Sequence, residues 1–342
     1  MNNTRKSTSR GISPGGPPRG TWPTGDRGEQ TMVKQAFSKL KQTLDAGQFV
    51  FTGELEPHFS TSIDDTIEDA NSMKDYVTAA NVTDNPASDT GFVSIVASET
   101  VQRETGLEII WQLRCTDKNR MALIADLLAA PRCGLKNVLA LTGDHPWCSP
   151  HWRQSKPVYD LDSTTLIRLV NEMVEKKTAF GKPFDGPALE INVGGAANPN
   201  AAPIEAELLA LHRKAKVGCD WFQTQVVFDV QKTLEFLDEA NKTGVPILIG
   251  LFPIKSYEVA NGFNMMVPGV KVPEDLMARF KEIKTEWKNV DKQRMEEEYL
   301  KLNAEFLGPV IQELREKRAC AGIHIMAVHY PEAFPALFEY VK

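Results

Sequence analysis

The strongest constraint on this chain is a repeated pattern rather than a repeated sequence. From about residue 49, a short β-rich run, a polar turn and an amphipathic helix follow one another eight times. The runs are FVFTGELE (49–56), TAANVTD (78–84), EIIWQLRC (108–115), NVLALTG (137–143), ALEINVGG (188–195), WFQTQVVF (221–228), PILIGLFP (246–253) and GIHIMAV (322–328). Between them apolar residues recur at helical spacing, as in Ile63, Ile67 and Ala70, or Leu166, Leu169, Val170 and Met173, or Ile204, Leu208 and Leu211. Ser62 with Asp65 forms a capping-box signal, and Asp162–Ser163 precedes another apolar run. Strands that alternate with helices pair in parallel through right-handed crossovers. Eight such units predict a single α/β domain over 31–342, a (β/α)8 TIM barrel. A doubly wound open sheet would carry a glycine-rich phosphate loop after its first strand, and GELEPH is not one. The segment 275–319 breaks the rhythm. It reads as one or two long charged helices inserted before the last strand, with 281–301 as a solvated face.

Composition excludes several classes. The first 25 residues hold five Gly, four Pro, Arg5, Lys6, Arg10 and Arg19 but no acid. Such a segment buries too little apolar surface to offset its ordering entropy, so 1–30 is expected to be a disordered tail. It has no apolar signal-peptide region. Lys and Arg number 39 against 45 Asp and Glu, a net charge of −6, which disfavours nucleic acid as a partner. No apolar run reaches the roughly 18–20 residues that span a bilayer, so no membrane association is expected. Cys115, Cys133, Cys148, Cys219 and Cys320 are scattered. They suit reduced thiols in a cytoplasmic protein, and they offer no metal site.

In a barrel of this kind chemistry sits at the C-terminal ends of the strands. Val50, Thr52, Glu54 and Glu56 share one parity of the first run, and the apolar parity should face the helices. Both carboxylates then point towards the barrel axis. The later runs end in Thr83, Asp84 and Asn85, in Gln112, Arg114 and Asp117, and in Thr142, Gly143 and Asp144. They continue with Asn192, Gly194 and Gly195, with Gln223 and Gln225, and with His324 and His329. Carboxylates, amides and a Gly–Asp turn converging on one mouth point to a binding or catalytic site. A general acid at neutral pH needs a carboxyl kept protonated by burial or by a like charge. Glu54, two residues from Glu56, has both causes within reach. Glu56 reads as a second acid, a tuner of Glu54 or a rim residue, with the rim favoured.

Several stretches resemble the methylenetetrahydrofolate reductase family. They are TGELEP, NVTDNP, LRCTDKNRMALIADLL, GLKNVLALTGD, KPVYDLDS, GGAANPN, TQVVFD and VPGVKVP, in family order from about residue 44 to 332. NVTDNP followed by CxDxNR and LALTGD is a specific combination. The resemblance is to the compact prokaryotic form, consisting of the catalytic barrel. It implies a flavin, FAD or alternatively FMN, at the barrel mouth, and reduction of 5,10-methylenetetrahydrofolate to 5-methyltetrahydrofolate. By the same resemblance Glu54 is the catalytic acid, protonating N10 before hydride passes from flavin N5. Asp144 matches the aspartate beside flavin and pterin. Thr83, Asp84, Gln112, Thr142, Gly143, Gly194, Asn198, Arg213 and Lys214 match cofactor-binding positions, the last two near the flavin phosphates. Gln225 and Phe263 match substrate-binding positions. The chain departs from relatives at His58, Gln112, Val259, Tyr330 and Ala210, and in the loop 194–198.

The expected partners are 5,10-methylenetetrahydrofolate, with NAD(P)H or an electron-transfer protein as donor. Further copies of the chain are also admitted. Two other readings remain: a flavin-free, pterin-binding one-carbon methyltransferase, and a reductase subunit served by an electron-transfer partner. Trp147, Cys148 and Trp152, after the LTGD turn, read as a lid, a docking surface or an ordinary packed loop.

Overall fold

The computed structural model describes residues 34–267 and 269–341; the expected tail at 1–30 lies outside them. Eight parallel strands close into a barrel. In chain order they are β1 (Val50–Leu55), β2 (Ala79–Val82), β3 (Ile109–Arg114), β4 (Asn137–Leu141), β5 (Asn192–Ala197), β6 (Trp221–Val226), β7 (Ile247–Leu251) and β8 (Gly322–Ile325). Each strand pairs with its neighbours in sequence, and β8 closes onto β1 with Thr52 opposite His324. This is the (β/α)8 TIM barrel that the alternation predicts.

Helices cover the outside, and their apolar faces bury as the spacing predicts. Leu166, Leu169, Val170 and Met173 of the helix Ser163–Lys176 are all buried, and Asp162 caps it by accepting from the Thr165 amide. The helix after β1 starts at Asp64, whose amide donates to Ser62 Oγ, so the expected pairing with Asp65 is displaced by one residue. The fifth strand also differs. It starts at Asn192, four residues later than the apolar run suggests. Leu189 and Ile191 are buried but lie before the first ladder bond, which Asn192 N makes to Lys136 O at 2.9 Å. Burial, not pairing, explains their apolar character.

The interior is layered. Val50, Ala79, Ile110, Leu139, Trp221 and Leu248 form an apolar floor. Leu40 and Leu44 of a short helix, Lys39–Asp45, pack into it from below. Glu108 holds that helix in place by accepting from the Lys39 and Leu40 amides at 2.7 and 2.8 Å. Gly194 is small because the Trp221 indole fills the space above it: a Cβ there would lie 2.3 Å from the ring.

The irregular segment folds as the helices Glu274–Trp287 and Lys292–Glu316. They build an apolar core with Phe228, Ile254, Val272, Leu276, Phe280 and Tyr299. Asn303 ties them to the loop after β7, accepting from Ile254 N and donating to Ile254 O. Their outer face carries ion pairs such as Arg279–Glu305 and Arg294–Glu298. Among the described residues no helix is long and apolar enough to cross a membrane.

Overpacking a rigid core costs about 1–3 kcal/mol. Gly194→Ala is therefore expected to lower stability by about that amount. Urea denaturation would check this; an unchanged midpoint would mean that the indole has room to move.

Candidate active site

The mouth rests on a buried polar layer directly above the apolar floor. Thr52, Asn81, Gln223 and His324, from β1, β2, β6 and β8, are each 3% exposed or less. Gln223 Nε2 donates to Thr52 Oγ1 (3.3 Å) and Asn81 Oδ1 (3.3 Å), while Asn81 Nδ2 donates to Gln223 Oε1 (3.1 Å). Thr52 Oγ1 lies 3.0 Å from His324 Nδ1, and His324 Nε2 lies 3.4 Å from Glu54 Oε2. Asn81 Nδ2 lies 3.5 Å from the same Nε2, so this ring nitrogen meets both an amide and the Glu54 carboxyl. Gln112 Nε2 donates to the same oxygen at 3.3 Å. The His324 ring and the Gln112 amide thus both meet Glu54 at Oε2.

Glu56 follows the end of β1 and is half-buried. Its carboxyl is held above the ordinary glutamate range, first by burial, then by the charge of Glu54 and also that of Asp89; His329 and Lys255 oppose the shift. His329 stacks on His58 with ring centroids 4.0 Å apart, and its Nδ1 lies 3.4 Å from Asp69 Oδ2.

On the next sector three loops form one knot. Arg114, 5% exposed, donates through Nε and Nη2 to Asp117, and through Nη1 to Asn85 O and Ser88 Oγ. Ser88 Oγ and Thr116 Oγ1 both donate to Asp144 O. Burial works against the Asp117 carboxylate, but Arg114 and Asn85 bind it and hold it below its usual range. Asp84 accepts from Arg114 N and pairs with Lys118 at 3.2 Å. Burial raises its proton affinity, against the pull of Lys118. Lys118 is also paired with Asp126. Gly143 has φ +84° and abuts Thr116 Oγ1, so only glycine suits the turn. Thr142 Oγ1 turns outward to Ser163. The Asp144 side chain remains exposed at the mouth.

The remaining positions divide. Thr83 is 4% exposed, and its hydroxyl has no hydrogen-bond partner among the described residues. Lys214 Nζ reaches under the end of β5 and donates to Ala196 O at 2.6 Å, whereas Arg213 is exposed. Asn198 is bound through its amide to Glu207. A bulge between Gln223 and Val226 leaves Gln225 exposed at the strand end. Phe263 packs edge-on against Phe252 (4.6 Å) and Phe228 (5.9 Å). The structure thus gathers Glu54, Gln112, Glu56 and His324 into one bonded or charge-coupled group. Asp84, Thr142 and Gly194 meet the protein neighbours Lys118, Ser163 and Trp221.

Residues 39–341 match the family model for methylenetetrahydrofolate reductase. The chain belongs to the methylenetetrahydrofolate reductase family. It is 26% identical over 262 residues to methylenetetrahydrofolate reductase (NADH) 1 of Arabidopsis thaliana, covering 73% of this chain and 43% of that protein. It is 27% identical over 184 residues to 5,10-methylenetetrahydrofolate reductase of Pectobacterium carotovorum, covering 53% and 55%. The Escherichia coli enzyme is 27% identical over 175 residues, covering 51% and 53%. The match thus spans about half the length of these curated relatives. In fold the chain resembles a Clostridium thermocellum protein that binds two copies of 5-methyl-5,6,7,8-tetrahydrofolic acid (TM-score 0.59, 17% identity, 89% of this chain and 100% of that one).

The reductase-family motifs NVTDNP, CTDKNR and LTGD have a physical reason to occur together, since they supply the three loops of the Arg114 knot. Sequence reasoning placed His324 at the mouth but not in the site. Its parity was readable; its partner Thr52, 272 positions away, was not.

Removing one partner of a buried ion pair costs about 3–5 kcal/mol. Lys118→Met is expected to do so by stranding Asp84. A carboxyl with raised proton affinity favours the folded state below its unfolded pKa and loses that advantage as pH rises. The penalty should therefore be largest at neutral pH and shrink towards acid. Denaturation midpoints measured across pH would reveal this, and a pH-independent penalty would contradict it.

Proposed function

We propose that this chain reduces 5,10-methylenetetrahydrofolate to 5-methyltetrahydrofolate, using a flavin bound at the mouth and Glu54 as the general acid. The observation that carries the reading is the contact of His324 and Gln112 with a single oxygen of Glu54. Family membership supplies the reaction class.

The residues present fit a flavin on one test. The Thr83 hydroxyl is buried at the mouth with no hydrogen-bond partner among the described residues, which suits a ligand with a polar ring edge. Thr83, Gln112 and Asp144 would hold the ring system, and Asn198, Arg213 and Lys214 the phosphate side. When bound, the flavin supplies the hydride.

The protein's own work is proton transfer and orientation. Glu54, held at Oε2 by Gln112 and His324, delivers a proton to N10 of the folate, which opens the five-membered ring. His324, held by Thr52, keeps the carboxyl from rotating away. Gln225 and Asp144, both exposed at the mouth, offer amide and carboxylate groups to the pterin edge. Phe263 presents an aromatic edge to the benzoyl part. Either NAD(P)H or an electron-transfer protein recharges the flavin.

General acid catalysis contributes about 10²–10⁴-fold. Glu54→Gln should slow the folate reaction by that order while leaving reduction of the flavin unaffected. The check is anaerobic absorbance: flavin bands that bleach with NADH or a chemical reductant and return with methylenetetrahydrofolate. A protein that takes up neither FAD nor FMN would end the flavin reading.

A further inference from the structure

Asp144 stands on a turn that needs a partner from another loop. Gly143 before it has φ +84°, and the carbonyl oxygens of Thr142 and Asp144 both lie 3.1 Å from the hydroxyl of Thr116. That hydroxyl has one proton and can satisfy one of them at a time. The second donor comes from the loop after β2. Ser88 Oγ donates to Asp144 O at 2.6 Å and accepts from Arg114 Nη1 at 3.3 Å, so its own proton is directed at the carbonyl. Ser88 is 5% exposed and sits at φ +57°, a left-handed conformation that favours glycine. What serine supplies there is its hydroxyl, not its backbone. The next residue, Asp89, grips the same loop further on, accepting from Ser149 Oγ (3.3 Å) and facing His151 Nδ1 (3.1 Å). The stretch from Asp144 to His151 is thus fastened at both ends to residues 88 and 89. The side chain of Asp144 is exposed, and the hydrogen bonds that hold the residue fall on its carbonyl oxygen.

We propose that Ser88 is a positioning residue for the folate step: its hydroxyl fixes the Asp144 carbonyl, and through it the direction from which the Asp144 carboxylate meets the pterin edge. This rests on the reading of Asp144 as a pterin contact. A carboxylate on a free turn is ordered only when the substrate docks, and that ordering subtracts from the binding energy. A carboxylate whose backbone is already bound loses little further freedom. Arg114 acts one step further back. Its other donors are satisfied on Asp117 and Asn85 O, and its contact with Ser88 turns the hydroxyl proton away from itself and towards residue 144. Ser88 touches no reacting atom in this scheme. Its effect is on binding, so it falls on the half-saturating folate concentration and not on the rate at saturation.

The test uses the flavin-loaded enzyme, reduced anaerobically with dithionite and reoxidised by methylenetetrahydrofolate over a range of concentrations. Ser88→Gly deletes the hydroxyl and relieves the backbone; Ser88→Ala deletes the hydroxyl alone. Both should raise the half-saturating folate concentration by about three- to tenfold, the size expected of one hydrogen bond, with the saturated rate nearly unchanged. A Ser88→Gly protein with wild-type folate dependence, the backbone relieved and the hydroxyl gone, would overturn the proposal. The deciding comparison is with Asp144→Ala. In that background Ser88→Gly should add nothing, because its path runs through the group already removed. Effects that multiply would mean that Ser88 acts elsewhere. Hydrogen exchange reads the same contact without folate or flavin: the segment 142–149 should exchange faster in Ser88→Gly than in the wild type, and unchanged exchange would also overturn the positioning role. An Asp144→Ala protein that reacts with folate as the wild type does would remove the reading of Asp144 as a pterin contact, while exchange in 142–149 would still judge what Ser88 holds.

Discussion

A buried guanidinium organises the mouth of this barrel. Arg114 cannot be neutralised, and its five donors lie in a fixed fork. It satisfies them on Asp117, Asn85 O and Ser88 Oγ, which belong to two different loops, and Ser88 passes the connection on to Asp144 in a third. Asn85, Ala87 and Ser88 sit at φ of 49°, 51° and 57°, where ordinary residues are strained by about 1–3 kcal/mol each. Such a backbone persists only where its surroundings over-determine it, and Arg114 does this. Without that charge the loop after β2 would relax, and Thr83 beside it would lose its aim.

The polar layer below obeys a different rule. Thr52, Asn81, Gln223 and His324 replace what could have been a second tier of aliphatic side chains. A buried polar group is tolerable only when its hydrogen bonds are made. Here Asn81 and Gln223 exchange bonds, and the layer reaches Glu54 through His324. The layer gives up some hydrophobic stabilisation to fix the direction of one carboxyl group.

Much of the architecture was legible because it is periodic. Strand parity alone aimed Thr52 and Glu54 inward, and helical spacing picked out the buried Leu166, Leu169, Val170 and Met173. The errors fell where burial and pairing diverge. Leu189 and Ile191 look like strand residues because they are buried, yet they pair with nothing in the ladder. Gly194 is matched to the Trp221 indole of the next strand, and Asp84 pairs with Lys118, partners that the sequence does not name. Parity says which way a side chain points. It does not say which side chain from another strand will meet it, so the His324–Thr52 contact and the burial of Glu56 had to come from three dimensions.

The floor of the barrel has a consequence of its own. Leu40 and Leu44 stopper the end opposite the mouth, fastened there by Glu108. The barrel is therefore closed below, and Glu54 is approached from one side alone.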